Sequence, residues 1–545
     1  MNRSDTTLLG NVRTMNSAAP TARAITFDGG RISGVNGTGP SSAGTILDAG
    51  TRTVLPGFID THAHVEVASV LSATSVDVRV PICRSVADVL ARLHEALPTA
   101  RDGWLIGRAN LFYDQRLSDG RYPTLAELDS VSRDVAIVIR AGGHLSVLNS
   151  KAMELADIDR LSQLEQGLMG HAQVFLDDDG NRTGVVAEID GLLPLPVPSD
   201  AEFAQLVRTG VAAEFTRFGV TTLGEISETL PGLRAMSKLA AQRLLPSRVE
   251  AYLWAPGTFG YDEVFKWRDH DIAETPQMFR VRGVKMFADG GFTAQNAAVK
   301  KPFLNGSCGD LNLSQEEIIS MRAQCDDAGL QLAVHANGER AQELMCSAII
   351  AGNFVGRGIQ TRLEHAGNFL TDWATTDMWR AADILPVPQA VFIGGAAFLP
   401  ALLGDDAKRG RFPFRTLIDQ GWSLPGSSDV HLGSEPTHTN PMFGVWSAVT
   451  RIGHGGELIE PDEALTVEQA LQMYTINGAR TLGVDAERGS LESGKLADMV
   501  VLDRDLSGVA DHDLHSVQVD YVFVDGQQVY ERHGAKPLDR LQTSP

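Results

Sequence analysis

Cysteine is scarce in this sequence, with four in 545 residues, and Cys83, Cys308, Cys325 and Cys346 form no CxxC pair. That excludes a disulfide framework or a thiolate zinc module and suits a reducing, cytoplasmic setting. Positive charge is also short: 47 Lys plus Arg stand against 68 Asp plus Glu, a formal net charge of −21. A chain of that sign repels nucleic acid and anionic membranes, so neither is an expected partner. It has no apolar run of the ~18 residues that a membrane span needs. The first 25 residues lack the apolar core of a signal peptide. Short-period repeats and low-complexity tracts are missing as well. What is there has the ordinary balance of a globular protein, 43% hydrophobic and 21% charged. The length allows one large barrel with attachments, or two to four ordinary domains.

Both ends of the chain read as β-structure. "TTLLGNVRTM", "ARAITFDGGRISGVNG" and "GTILDAGTRTVLPG" are short alternating runs broken by turn residues, and "GSLESGKLADMVVLDRD" and "VQVDYVFVDGQQVYER" repeat that texture. Asp525-Gly526 is a hairpin turn signal. Residues 1–55 and 488–545 are therefore expected to pair into one β-sandwich domain. Between them, apolar strand-like runs alternate with amphipathic helices, several opened by capping boxes such as Ser314 with Glu317 and Thr466 with Gln469. The strand candidates are "VLPGFID", "VAIVIRAG", "GVTTLGEI", "SRVEAYLW", "RVRGVKMFAD", "LQLAVHA", "TRLEHAG", "ILPVPQ" and "GWSLPGSSD". This alternation over residues 56–487 predicts an α/β fold, a (β/α)8 TIM-like barrel. Residues 75–195 exceed what one strand and one helix require, and are expected to form an insertion beside the barrel mouth.

"LPGFIDTHAHVE" places His62 and His64 two residues apart at a strand end, so both project to the same side. In a barrel that side is the active-site mouth, and two imidazoles there form half of a divalent-metal site. Alone, the pair is equally compatible with two incidental histidines. Four more polar residues sit where apolar runs end or are interrupted: Lys285 in "VRGVKMFADG", His335 in "LQLAVHANGER", His365 in "TRLEHAGNF" and Asp429 in "WSLPGSSDVH". An ammonium flanked by Val284 and Met286 is costly to bury without a partner.

These motifs, together with "GGHLSVLNSKAM", "TGVVAE" and the long block "LTVEQALQMYTINGARTLGVDAERGSLESGKLADMVVLD", resemble the amidohydrolase superfamily of metal-dependent hydrolases. Within it the chain is similar to the amidohydrolase-3, or YtcJ-like, branch that includes N-substituted formamide deformylases. The resemblance implies His62 and His64 as ligands of the more buried metal, and Lys285 as a CO₂-derived carbamate bridging two ions. It implies His335 and His365 on the second ion and Asp429 touching metal and water. The cofactor implied is a divalent metal, Zn²⁺, as one or two ions. Asp429 would act as acid and base while the metals activate water and polarise the scissile carbonyl.

The reaction expected is hydrolysis of a C–N bond in an amide, N-formyl or N-acyl group of a small molecule. An ester, lactone or carbamate substrate, a deamination, or a non-catalytic regulatory role on the same fold are the alternatives. Departures from the family pattern, Asn337 and Glu339 in "HANGERA", "FADGGFTAQNAAV" after Lys285, and the extra His431 and His438, fall on loops facing the substrate. His144 matches a family histidine near the substrate, as an oxyanion or substrate contact. Phe292, His431 and His438 are candidate substrate contacts, with Trp104, Phe112 and Tyr113 as further candidates for an apolar lining. Glu364 and Arg340 are expected to orient the ligands or to form salt bridges beside them, and Asp289 to cap its loop or else to orient the metal region. The remaining histidines, His94, His171, His270, His454, His512, His515 and His533, are read as ordinary. A homodimer is left open.

Overall fold

The computed structural model describes residues 5–36, 44–142, 144–163 and 172–542. His171, read as ordinary, lies outside them with residues 164–170.

Seven parallel strands form the central sheet: Phe58–Ala63, Val220–Ser227, Arg248–Trp254, Phe279–Phe287, Gln331–His335, Arg362–Glu364 and Leu385–Val387, each hydrogen-bonded to the next in that order. The second and third are buried along their whole length, with the polar Thr222, Glu225, Arg248 and Glu250 enclosed among their apolar neighbours. The expected eighth strand, "GWSLPGSSD", is not a regular strand. Pro425 lacks an amide donor, so the segment cannot sustain a ladder. It still closes the barrel. Thr61 N donates to Gly426 O at 3.2 Å, Asp429 N to His62 O at 2.7 Å, and His64 N to Val430 O at 3.0 Å. On its other flank Ser427 Oγ donates to Pro388 O at 3.0 Å.

Another of the apolar runs, "VAIVIRAG", is not part of the barrel. Ala136–Arg140 is the fourth strand of a separate six-stranded sheet, ordered Gln173–Leu176, Arg182–Ala187, Leu145–Leu148, Ala136–Arg140, Trp104–Arg108 and Val76–Asp77. This sheet is built from chain lying between the first two barrel strands. Its central strand is apolar from Ala136 to Ile139 because both faces are covered. Ile137 and Ile139 face one core with Val86, Val89 and Leu105, while Ala136 and Val138 face another with Leu148 and Met153.

The termini form a mixed β-sandwich. Thr6–Arg13, Thr21–Asp28, Arg31–Val35 and Thr45–Pro56 join Met499–Leu502, Val519–Val524, Gln527–Glu531 and Asp539–Gln542. Asp525 and Gly526 make the expected tight turn, both at positive φ (50° and 68°). Both capping boxes predicted from sequence, Ser314–Glu317 and Thr466–Gln469, open helices. No helix among the described residues is long and apolar enough to cross a membrane.

Candidate metal centre and its cavity

The first barrel strand delivers His62 and His64 side by side, their rings 5.5 Å apart. Each is held from behind by a carboxylate. His62 Nδ1 donates to Glu364 Oε2 at 2.6 Å, and His64 Nδ1 to Glu228 Oε1 at 2.6 Å. Glu364 is itself clamped by Arg362 Nε at 2.8 Å. These bonds fix both rings with Nε2 forward, and both Nε2 atoms face a single oxygen, Asp429 Oδ1, at 3.3 and 3.4 Å. His62, His64 and Asp429 are buried and lie close enough together to hold a metal ion.

The electrostatics favour a cation there. Burial, reinforced by Lys285, lowers His62 to about 3, so it is a neutral imidazole with a free lone pair. Burial also opposes charge on His64, yet hydrogen bonds to Asp429 and Glu228 raise it to about 10. Burial would likewise raise Asp429, but His62, His64 and His365 hold it well below the usual carboxylate range. A site that draws a proton onto a buried imidazole favours positive charge between these side chains, and a divalent ion supplies it. His62 Nε2 fits that purpose as well, being buried with no hydrogen-bond partner.

Lys285, His335 and His365 stand on the neighbouring strand ends. The rings of His335 and His365 are 4.5 Å apart, and His365 is 5.5 Å from His62. His365 Nδ1 lies 2.8 Å from Gln389 Oε1 and 3.9 Å from Asp429 Oδ2. His335 Nε2 is engaged by Gly290 O at 3.1 Å and Asn337 Nδ2 at 3.0 Å, so the loop residue Asn337 touches a candidate ligand directly. Burial lowers both imidazoles, and Lys285 adds to the effect. Lys285 Nζ is fully buried without a hydrogen-bond partner, and burial lowers it to about 8.

Two of these positions carry strained backbone. His365 and Asp429 have φ of 71° and 43°, a region that side-chain-bearing residues rarely occupy. Such conformations cost on the order of 1–3 kcal/mol each and persist where tertiary contacts enforce them.

The six-stranded insert supplies the opposite wall. His144 follows its central strand, and its Nδ1 donates to Glu188 Oε1 at 2.9 Å. Asn296 grips the same carboxylate from the barrel side. His144 also lies 5.7 Å, ring to ring, from His335. Burial opposes charge on His144, but Glu188 raises it above its ordinary value. The loop beneath must be glycine, because a Cβ on Gly291 would come within 2.7 Å of the His144 ring. Arg140, paired with Asp190, lines the cavity beside it.

The other expected residues divide. Phe292, His431 and Phe112 line the cavity; His431 is 6.0 Å from His64, and burial lowers it to about 4. His438 lines it too, with neither ring nitrogen hydrogen-bonded. Trp104 and Tyr113 do not line it: both pack into the cores of the insert. Glu364 orients His62 rather than its neighbour His365. Asp289 ties loops together, accepting from Ala298 N, Asn337 N and Gly338 N at 2.7–2.9 Å. Arg340 points elsewhere, to the carbonyls of Cys308 and Gly309 at 3.3 Å. Sequence reasoning missed Glu188, Glu228, Arg116 and Glu435, and it read as ordinary one histidine, His454, that lines the cavity. For Glu188 the quoted "TGVVAE" held the signal, an acid closing an apolar run; the others had none.

The amidohydrolase family model matches residues 45–530. Among curated relatives, an N-substituted formamide deformylase of Arthrobacter pascens is 28% identical, over 96% of this chain and 98% of its own. A putative amidohydrolase, YtcJ, of Bacillus subtilis is 26% identical over 88% and 89%. An uncharacterized metal-dependent hydrolase from Pyrococcus horikoshii shares the fold, with a TM-score of 0.71 at 22% identity over 93% of this chain and 99% of that one. With a family match spanning the barrel and part of the β-sandwich, and a buried His-His-Asp cluster at the barrel mouth, the chain belongs to the amidohydrolase family and is a metal-dependent hydrolase of a small organic substrate.

Proposed function

We propose that the protein hydrolyses the C–N bond of an amide, N-formyl or N-acyl group on a small organic molecule. The observation that carries this reading is the convergence of His62 Nε2 and His64 Nε2 on one oxygen of Asp429, below a cavity walled by His144. The similarity to a formamide deformylase along nearly the whole of both chains supports the choice of bond. Residues 56–487 are the catalytic barrel, 1–55 and 488–545 the β-sandwich domain, and 75–195 the insert that walls the mouth.

His62, His64 and Asp429 hold the first divalent ion, and this imidazole–carboxylate donor set suits Zn²⁺. Lys285, His335 and His365 hold a second. The buried, unpartnered Lys285 amine supports carbamate formation: its nitrogen adds to CO₂ and loses a proton, so that an awkward ammonium becomes an anionic ligand. A metal bound here supplies Lewis acidity to the substrate carbonyl and to the attacking water. Asp429, ionised and at the centre of the cluster, accepts the water's proton and passes it to the leaving nitrogen. His144, oriented by Glu188 and favoured by it in the protonated form, donates to the carbonyl oxygen as charge develops there. Phe292, His431 and His438 contact the rest of the substrate. Glu364 and Asp289 position the ligands.

The test is metal analysis of the purified protein with a panel of formamides, acyl amides, esters, lactones and amines, read by product mass. Stoichiometric divalent metal, and release of formate or a carboxylate with the free amine, are expected. His62→Ala should lose both metal and turnover. Full activity in that variant or in metal-free protein overturns the reading, and loss of ammonia alone reassigns it to deamination.

A further inference from the structure

The cavity has a second polar end that the reaction does not use. Arg116 follows Phe112 in a short turn of the insert and is ion-paired to Glu435, from the loop after the last barrel segment. Both side chains are about nine-tenths buried (9% and 10% exposed), and both line the cavity. Asn110 Nδ2 donates to the same Glu435 oxygen, Oε1, at 2.9 Å. Arg116 uses only Nη1 in this pair. Among the described residues its Nε and Nη2 have no hydrogen-bond partner, and neither does Glu435 Oε2. His438, buried with both nitrogens unpartnered, also lines this end. Aromatic rings line the same cavity: Phe112 and Phe392 face it, Phe392 lies 5.4 Å from His438, and Phe112 is backed by Phe398 at 5.4 Å.

A buried ion pair with spare donors on one partner and a spare acceptor on the other is under-used as a structural element. Its charge is already balanced, so it does not call for an ion. A second carboxylate would meet Glu435, and a second cation would meet Arg116. What it matches is an uncharged group that accepts and donates side by side, with its carbonyl toward the guanidinium and its N–H toward the carboxylate.

Resting on the hydrolase reading above, we propose that Arg116 and Glu435 form a specificity subsite for a neutral carboxamide or urea carried at the distal end of the substrate, on an apolar or aromatic spacer that the phenylalanines enclose. The subsite selects against substrates ending in a carboxylate.

The experiment uses metal-loaded enzyme and matched N-formyl arylalkylamines whose ring carries hydrogen, carboxamide or carboxylate para to the chain, with linkers of one, two and three carbons. At the linker length that fits, kcat/KM for the carboxamide should exceed that of the unsubstituted compound by about 10-fold, mainly through KM, with the carboxylate poorest. In the double variant Arg116→Met/Glu435→Gln, which removes both charges together and leaves Asn110 an acceptor, the carboxamide-to-hydrogen ratio should fall to about one. If that protein does not fold, Glu435→Gln alone decides: the carboxylate compound should gain about 10-fold on the carboxamide. The proposal is overturned if no linker length favours the carboxamide in the native enzyme, if the carboxylate is preferred, or if the ratio survives in the variants. Failure of the hydrolase reading looks different: no compound is turned over, while calorimetric binding of the three compounds to native and variant protein still reports the subsite.

Discussion

The two ends of the barrel are both rich in buried charge, and they use it in opposite ways. At the foot, where the strands begin, Arg248 donates to Asp498 at 2.7 and 2.8 Å and to Asp525 at 2.6 Å. Arg280 pairs with Glu487 at 3.0 Å and Arg488 with Glu250 at 3.3 Å. Each pair joins a barrel strand to the C-terminal segment that leads into or builds the β-sandwich. At the mouth, Lys285 Nζ and His62 Nε2 are buried with no hydrogen-bond partner, and His365 and Asp429 sit in left-handed backbone. Charge that is matched across an interface holds the domains in register. Charge left unmatched at strand ends is available to a metal and a substrate. The division follows barrel architecture, in which the carboxyl ends of the strands carry chemistry and the amino ends carry stability.

Substitutions at the two ends should therefore separate activity from stability. The largest effect expected is at the mouth: Asp429→Asn should lower kcat by up to ~10⁴-fold, the upper range for loss of a positioned acid–base group, while the melting temperature stays near the native value. Steady-state kinetics beside calorimetry checks this, and a large drop in melting temperature would erase the distinction. At the foot, Asp498→Asn should cost about 3 kcal/mol or more of folding stability by leaving Arg248 short of its main partner, with KM unchanged. The pH dependence follows in sign. Arg248 overcomes the burial penalty and holds Asp498 below its ordinary value. Its contribution is thus complete above the unfolded carboxyl value of about 3.9, and is lost as pH falls through the folded value. The stability gap between native protein and Asp498→Asn should be widest near neutrality and narrow below about pH 4. The smallest effect, and the sharpest, belongs to Glu364→Gln. Weakening the carboxylate behind His62 should reduce metal affinity by about 10- to 100-fold while the metal-saturated enzyme recovers most of its turnover. Titration with a competing chelator measures it.

Much of this was legible in the residues. Period-two spacing put His62 and His64 on one side of a strand, and strand–helix alternation announced a barrel. The eighth segment was placed correctly in order but not in form, since Pro425 interrupts the ladder while the closure survives through single bonds to the flanking strands. "VAIVIRAG" resembled a barrel strand because a strand covered on both faces loses the period-two alternation; only its neighbours reveal which sheet it joins. Arg340 looked like a partner of His335 because it is near in sequence, yet it lies on the following helix and turns to other carbonyls.

The sequence by itself determined which side chains end the barrel strands, because residue type and local period are properties of a few adjacent positions. The pairings that make those side chains useful were decided by the tertiary structure alone. His62 meets Glu364 across 302 residues, His64 meets Glu228 across 164, and Arg116 meets Glu435 across 319. No local spacing encodes such contacts. They exist because closing the barrel and laying the insert over its mouth bring loops of unrelated sequence position within hydrogen-bonding distance, where each buried charge must find its partner or remain open for a ligand.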